Sequence, residues 1–277
     1  MPDFGILGQP HAEPLRSSIG VNRRREWVIL SALMTRPNAF ISTNTLIDAL
    51  WDDDPPRTAR EQVMNCLGSI RRAIASSCTG EVSLDRVRDG YVFAIEAERI
   101  DHVVFSRLCT EAESAKALDR PEASLGLYER ALALWRGGVY DGLDVPSLAS
   151  YAAALEEQRA IAAEEHFALS IATGNGSGVI PRLLRHVGEH PLRERGVALL
   201  MSALHDEGRT HEAHAVYARL VHRLGEGLAV GPSVEVRRTL DTILNGASPA
   251  PRTRVDALSD NGRTVDYRVI LVRGGVQ

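Results

Sequence analysis

Arg60, Gln62, Asn65 and Arg71 fall within one stretch, residues 58–76, opposite a series of apolar residues. A guanidinium group carries its donors in a planar fork that matches paired acceptors, such as the O6/N7 edge of guanine or two phosphate oxygens. A side-chain amide donates and accepts at once, as the N6/N7 edge of adenine requires. Arg72, on the same stretch, and the upstream run Arg23-Arg24-Arg25 suit phosphate oxygens, contacts that orient without reading sequence. Arg86 and Arg88 stand in Asp85-Arg86-Val87-Arg88-Asp89-Gly90, between two β-prone runs. A hairpin there would carry both to its tip.

The elements that must position these groups follow from spacing. Phe4–Gly8 reads as a short strand, with a second around Leu15–Ile19. Asn22 is a candidate N-cap for a helix from Arg23 to about Thr35, stopped by Pro37. Ser42 or Thr43 opens a second helix, with Leu46, Ile47, Leu50 and Trp51 inward. Asp52-Asp53-Asp54-Pro55-Pro56 cannot continue it, because proline lacks a donor and forces its predecessor into extended geometry. A third helix runs from about Thr58 to Ser76 on the apolar series Ala59, Val63, Cys66/Leu67, Ile70 and Ala73/Ile74. Gly68 inside it costs about 1 kcal/mol of helix propensity relative to alanine. Val82–Leu84 and Tyr91–Ile95 read as strands joined by a turn at Asp-Gly. Short strands, three helices and a hairpin are the element order of a winged helix-turn-helix.

From residue 101 onward the pattern is helical, with candidate helices at 102–118, 122–135, 147–173, 179–189, 193–206, 210–224 and 233–244. Gly, Pro or Asn marks the separators. Glu122-Ala123 leads to Tyr128 and Ala131 as Glu212-Ala213 leads to Tyr217 and Leu220, a degenerate self-similarity of tetratricopeptide-like stacking. The expected fold is mixed and mainly α: a winged helix-turn-helix at 1–99, an all-α tetratricopeptide-like domain at 100–245, and a flexible tail at 246–277.

Composition narrows the function. The chain of 277 residues has a formal net charge of −4, 5% aromatic residues, and one lysine, Lys116, among its 32 cationic side chains. No segment is basic as a whole, since 1–99 nets −1 and 100–245 nets −5, so a polyanion site must be a local, one-sided cluster. Cys66, Cys78 and Cys109 form no CxxC pair, which argues for a reducing compartment and against a disulfide framework or zinc site. Neither a signal peptide nor an apolar run of bilayer length is present, so a cytoplasmic protein without membrane association is expected. His186 and His190 are four apart but lack an HExxH frame, and no GxxxxGK[ST] loop occurs. No metal, cofactor or enzymatic role is expected.

Several segments resemble a known family. Leu46-Ile47-Asp48-Ala49-Leu50-Trp51, the Asp-Asp-Pro-Pro run, Ser69-Ile70-Arg71-Arg72 and Gly90-Tyr91 resemble the OmpR-type winged-helix domain of Streptomyces antibiotic regulatory proteins (SARPs). Ala131–Gly137, His190-Pro191-Leu192-Arg193-Glu194-Arg195, Gly208-Arg209 with Glu212-Ala213, and 227–232 resemble that family's bacterial transcriptional activation domain. The resemblance implies a transcriptional activator of a secondary-metabolite (antibiotic) gene cluster that binds promoter direct repeats near the −35 element. DNA contacts would then come from Arg23, Arg24, Arg25, Arg57, Arg60, Gln62, Asn65, Ser69, Arg71, Arg72, Arg86, Arg88 and Tyr91. It also implies recruitment of RNA polymerase through its sigma and alpha subunits, and a homodimer or tandem protomers on double-stranded DNA. Asp52, Asp53 and Asp54 would face polymerase; equally, they could merely cap the next helix and solvate a turn. The alternative is a helical-repeat scaffold whose degenerate winged helix docks protein instead of DNA.

Overall fold

In the computed structural model, which describes residues 2–15, 24–78, 81–143, 145–228 and 230–245, the amphipathic stretches fold much as their spacing dictates. Ser42 opens a helix, its hydroxyl accepting from the Thr45 amide at 3.1 Å. The N-terminal unit comprises β1 (Phe4–Gly5), β2 (His11–Ala12), α1 (Arg24–Met34), β3 (Phe40–Ser42), α2 (Thr43–Trp51), α3 (Ala59–Ser77), β4 (Val82–Val87) and β5 (Gly90–Ile95). β1 pairs with β2, and β3, β5 and β4 form an antiparallel sheet in that order. α3 buries Ala59, Val63, Cys66, Leu67, Ile70, Ala73 and Ile74, the apolar series of the sequence.

Several expectations need correction. β3 was not legible, being three residues long with only Ile41 buried. The first strand stops at Gly5, because the amides of Ile6 and Leu7 turn to the Asp101 carboxylate instead of a neighbouring strand. Its partner is His11–Ala12, and the part of the Leu15–Ile19 expectation beyond Leu15 lies outside the described residues. The hairpin turn is Arg88-Asp89, not Asp89-Gly90: Val87 pairs with Gly90, and Arg88 takes the left-handed conformation at φ 52°. Gly90 is needed for a different reason. A Cβ there would lie 2.3 Å from the Ile41 carbonyl oxygen, where β3 crosses closest to β5.

The helical half holds α4 (Asp101–Ala117), α5 (Pro121–Leu132), α6 (Ala149–Ala172), α7 (Gly176–Glu189), α8 (Glu194–Asp206), α9 (Thr210–Leu228) and α10 (Val234–Asn245). Each helix packs on the next, and α10 folds back onto α8. α5 ends short of Trp135 because the chain swings away there: the Arg136 amide donates to the Leu7 carbonyl at 2.9 Å and that of Tyr140 to Ile6 at 3.1 Å. The expected tail, 246–277, lies outside the described residues.

The apolar interior divides inside α6, not between the two halves of the sequence. One cluster runs without a break from Phe4, Leu33 and Phe93 to Phe105, Trp135 and Leu155. The second gathers Phe167 with Leu183, Met201, Leu220 and Val236. Polar groups reinforce the junction. Asp101, 1% exposed, accepts from the amides of Ile6 (2.9 Å), Leu7 (3.0 Å) and His102 (2.7 Å) and from Arg136 Nη2 (2.9 Å). His102 joins the Met34 carbonyl (2.8 Å) to the Tyr151 hydroxyl (3.2 Å), and burial lowers its pKa. Deeper in the helical half, Glu164 (1% exposed) pins three helices. It accepts from Arg193 at 2.9 and 3.0 Å and lies 3.1 Å from His186 Nε2. Burial alone would raise the Glu164 pKa, but the hydrogen bonds from His186 and Arg193 outweigh it and hold the carboxyl at about 2.

Candidate nucleic-acid interface

α3 lies on the sheet through its apolar stripe and turns the opposite face outward. Arg57, Arg60, Asn65, Arg71 and Arg72 are exposed on or beside it, and Gln62 and Ser69 are half-buried. Arg86 and Arg88 are exposed on the adjoining hairpin, Arg86 opposite Tyr91 and Arg88 in the turn. Arg57, Arg60, Arg72, Arg86 and Arg88 make no ion pair among the described residues. A cation without a carboxylate retains its full electrostatic reach toward an external anion.

Two arginines are held in place by neutral partners. Arg25 Nη1 donates to Gln62 Oε1 at 2.6 Å, and its guanidinium lies 5.7 Å from the Trp51 ring centroid. Gln62 Nε2 in turn donates to the Thr58 hydroxyl at 2.8 Å, so Gln62 links α1 to the start of α3 instead of presenting a free amide. Arg71 Nε donates to the Leu84 carbonyl at 3.0 Å and its guanidinium sits 6.0 Å from the Tyr91 ring. This uses one donor of Arg71 and leaves its terminal nitrogens beside the hairpin.

Tyr91 departs from expectation as a contact residue. It is 3% exposed, and its hydroxyl donates to Met64 Sδ at 3.0 Å, so it supports Arg71 from below. Arg23 lies outside the described residues, and Arg24 is exposed at the start of α1. Sequence reading missed two positions on the outward face of α3. Met64 is 36% exposed, and a Cβ on Gly68 would meet nothing within 4 Å. Their signal was there: 57, 61, 64, 68 and 72 follow helical spacing. Cys66, 8% exposed, belongs to the core.

Asp52, Asp53 and Asp54 form an exposed turn between α2 and α3. Asp52 is left-handed at φ 53°, and its amide closes onto the Asp48 carbonyl at 2.8 Å. None of the three caps α3, whose N-cap is Thr58 without a side-chain cap, but their exposure fits a solvated turn. His186 and His190 stack at 4.9 Å, but among the described residues no group of three or more His, Cys, Asp or Glu is placed to hold a metal. No helix of the described residues is long and apolar enough to cross a membrane.

Comparison with known proteins finds transcriptional regulators. The family model described as bacterial transcriptional activator domain matches residues 100–244, and that described as transcriptional regulatory protein, C terminal, matches 22–93. The chain is 31% identical over 242 residues to the regulatory protein AfsR of Streptomyces griseus, covering 87% of this chain but 24% of AfsR. It is 26% identical to the regulatory protein DnrI of Streptomyces peucetius, covering 87% of this chain and 91% of DnrI. The structure of Mycobacterium tuberculosis EmbR in complex with a low-affinity phosphopeptide superposes with a TM-score of 0.80 at 26% identity, over 88% of this chain and 65% of EmbR. The chain thus spans about a quarter of AfsR and just under two thirds of that EmbR chain.

Proposed function

The chain belongs to the SARP family of transcriptional activators, marked by its bacterial transcriptional activator domain, and on that premise we propose that it activates a secondary-metabolite gene cluster by binding its promoter. α3 enters the major groove, whose width admits one helix, and the β4–β5 hairpin reaches the neighbouring minor groove or backbone. Arg60 and Asn65 read base edges. Arg24, Arg25, Arg57, Arg72, Arg86 and Arg88 hold phosphates, with Arg71 fixed between helix and hairpin. Residues 1–99 form the DNA-binding unit and 100–245 the activating one, in the cytoplasm. Two copies occupy a direct repeat near the −35 element, and the exposed Asp52–Asp54 turn meets basic polymerase surface.

The observation that carries this reading is the row of exposed arginines on α3 and its hairpin that have no carboxylate partner among the described residues. The test uses the full chain, because the apolar core crosses residues 99–100. Sites are first selected from a randomised duplex pool. Arg60→Ala with Arg72→Ala is then compared with the parent by gel shift across a salt series. Each well-made base contact is worth about 1–3 kcal/mol, and each lost phosphate contact flattens the log–log salt slope by about 0.9. Unchanged affinity and slope would reject α3 as the reader; failure to enrich any site would favour the protein-docking scaffold.

A further inference from the structure

A cavity of about 560 Å³ opens between α5, α6 and α7, away from the face assigned to DNA. It is lined by the apolar side chains of Leu132, Ala160, Ala163 and Phe167 and by three arginines, Arg159, which pairs with Glu156 at 3.5 Å, and Arg182 and Arg185. Neither Arg182 nor Arg185 pairs with a carboxylate among the described residues, although Arg182 lies 5.9 Å from the Phe167 ring centroid. Of the two carboxylates at the rim, Glu129 is turned toward His166 Nε2 at 3.3 Å, and Glu189 is exposed.

We propose that this cavity binds a small amphipathic anion, a carboxylate or sulfonate on an aromatic or aliphatic body. Three observations combine. The volume falls within the roughly 300–1,000 Å³ of pockets that take small organic ligands. The side chains of Leu132 and Phe167 offer apolar surface to the body of the ligand. The guanidinium groups of Arg182 and Arg185, left without carboxylates among the described residues, offer charge-assisted hydrogen bonds to its head. The position gives such a ligand leverage, because Leu132 packs on the first apolar cluster while Phe167 belongs to the second and Ala163 packs on it. An occupant bridges the two clusters and stabilises the native state by mass action. The inference stands on the cavity alone and is independent of DNA binding.

Naphthoate is the probe, with naphthylmethanol as its neutral analogue and inorganic phosphate as a bare anion. Titration calorimetry on the full chain should show single-site saturation by naphthoate, at least about tenfold tighter than either control, as one charge-assisted contact implies. Thermal stability should rise with naphthoate concentration. Arg182→Gln with Arg185→Gln should weaken naphthoate by about tenfold or more. Ala133→Trp, which fills the mouth without altering charge, should abolish binding, and Arg219→Gln on α9 should leave it unchanged. Equal binding of naphthylmethanol, equal binding of phosphate, retention of affinity in the double variant, or no saturable naphthoate binding by the parent would each overturn the proposal.

Discussion

The face of α3 with its hairpin and the helix junctions of the second half use the same side chain in opposite ways. On α3 and the hairpin, Arg57, Arg60, Arg72, Arg86 and Arg88 are left without carboxylates among the described residues. In the helical half Arg136 closes on Asp101, Arg193 on Glu157 and Glu164, and Arg195 and Lys116 both on Glu165, each joining separate elements. Whether a cation fastens helices or faces outward is decided by whether an acid stands within reach. Net charge hides this division, since each half is negative as a whole.

The difference can be broken most severely from the helical side. Glu164→Leu leaves Arg193 and His186 beside an apolar group, and loss of one partner from a buried pair costs about 3–5 kcal/mol. Urea unfolding should report that loss, while DNA affinity of the folded fraction stays at the parent value. Acid attacks the same group more gently. The Glu164 carboxyl sits at about 2 when folded, below the ordinary carboxylate range, so its contribution is present at neutral pH. It is lost as pH falls from about 4.5 toward 2, and amounts to about 3 kcal/mol. Burial also lowers the pKa of His11, His102 and His166, so the unfolded chain takes up their protons first and stability begins to fall below about pH 6.5. Denaturation midpoints that are flat between pH 7 and 3 would contradict both statements.

A subtler change converts one region into the other. Gly68→Glu sets a carboxylate four residues before Arg72 on an open face, where a new Cβ meets nothing within 4 Å. Stability should rise by about 1 kcal/mol from helix propensity, with a few tenths more from the pair, while DNA binding weakens about tenfold. A gain in both would mean that this face does not meet phosphate. At the small end, Arg107→Ala removes an exposed i,i+4 pair with Glu111, made at 2.5 Å on α4. Both stability and DNA binding should move by less than about 0.5 kcal/mol.

How much of this was legible in sequence depended on range. The stripe of α3 and the seven helices of the second half follow from local periodicity, and their limits fall within a few residues of the spacing. Asp101, Arg136 and the early end of α5 did not, because they answer to Ile6 and Leu7, far away in sequence. The Arg88-Asp89 turn was misplaced by one residue, since Asp-Gly is a strong local signal and the approach of β3 that claims Gly90 is not local. On the site, residue type identified Arg60 and Arg72 correctly as outward cations. It did not reveal that Gln62 would bridge Thr58 and Arg25, or that Tyr91 would be buried beneath Arg71.

The interior that crosses residues 99–100 gives the molecule no swivel there. Two such bodies seated side by side on a duplex cannot absorb a change of phase between their sites. Each inserted base pair rotates the second body by about 34° around the axis, given about 10.5 base pairs per turn. Cooperation between neighbours should therefore oscillate with spacer length, failing at half a turn and returning at a whole one.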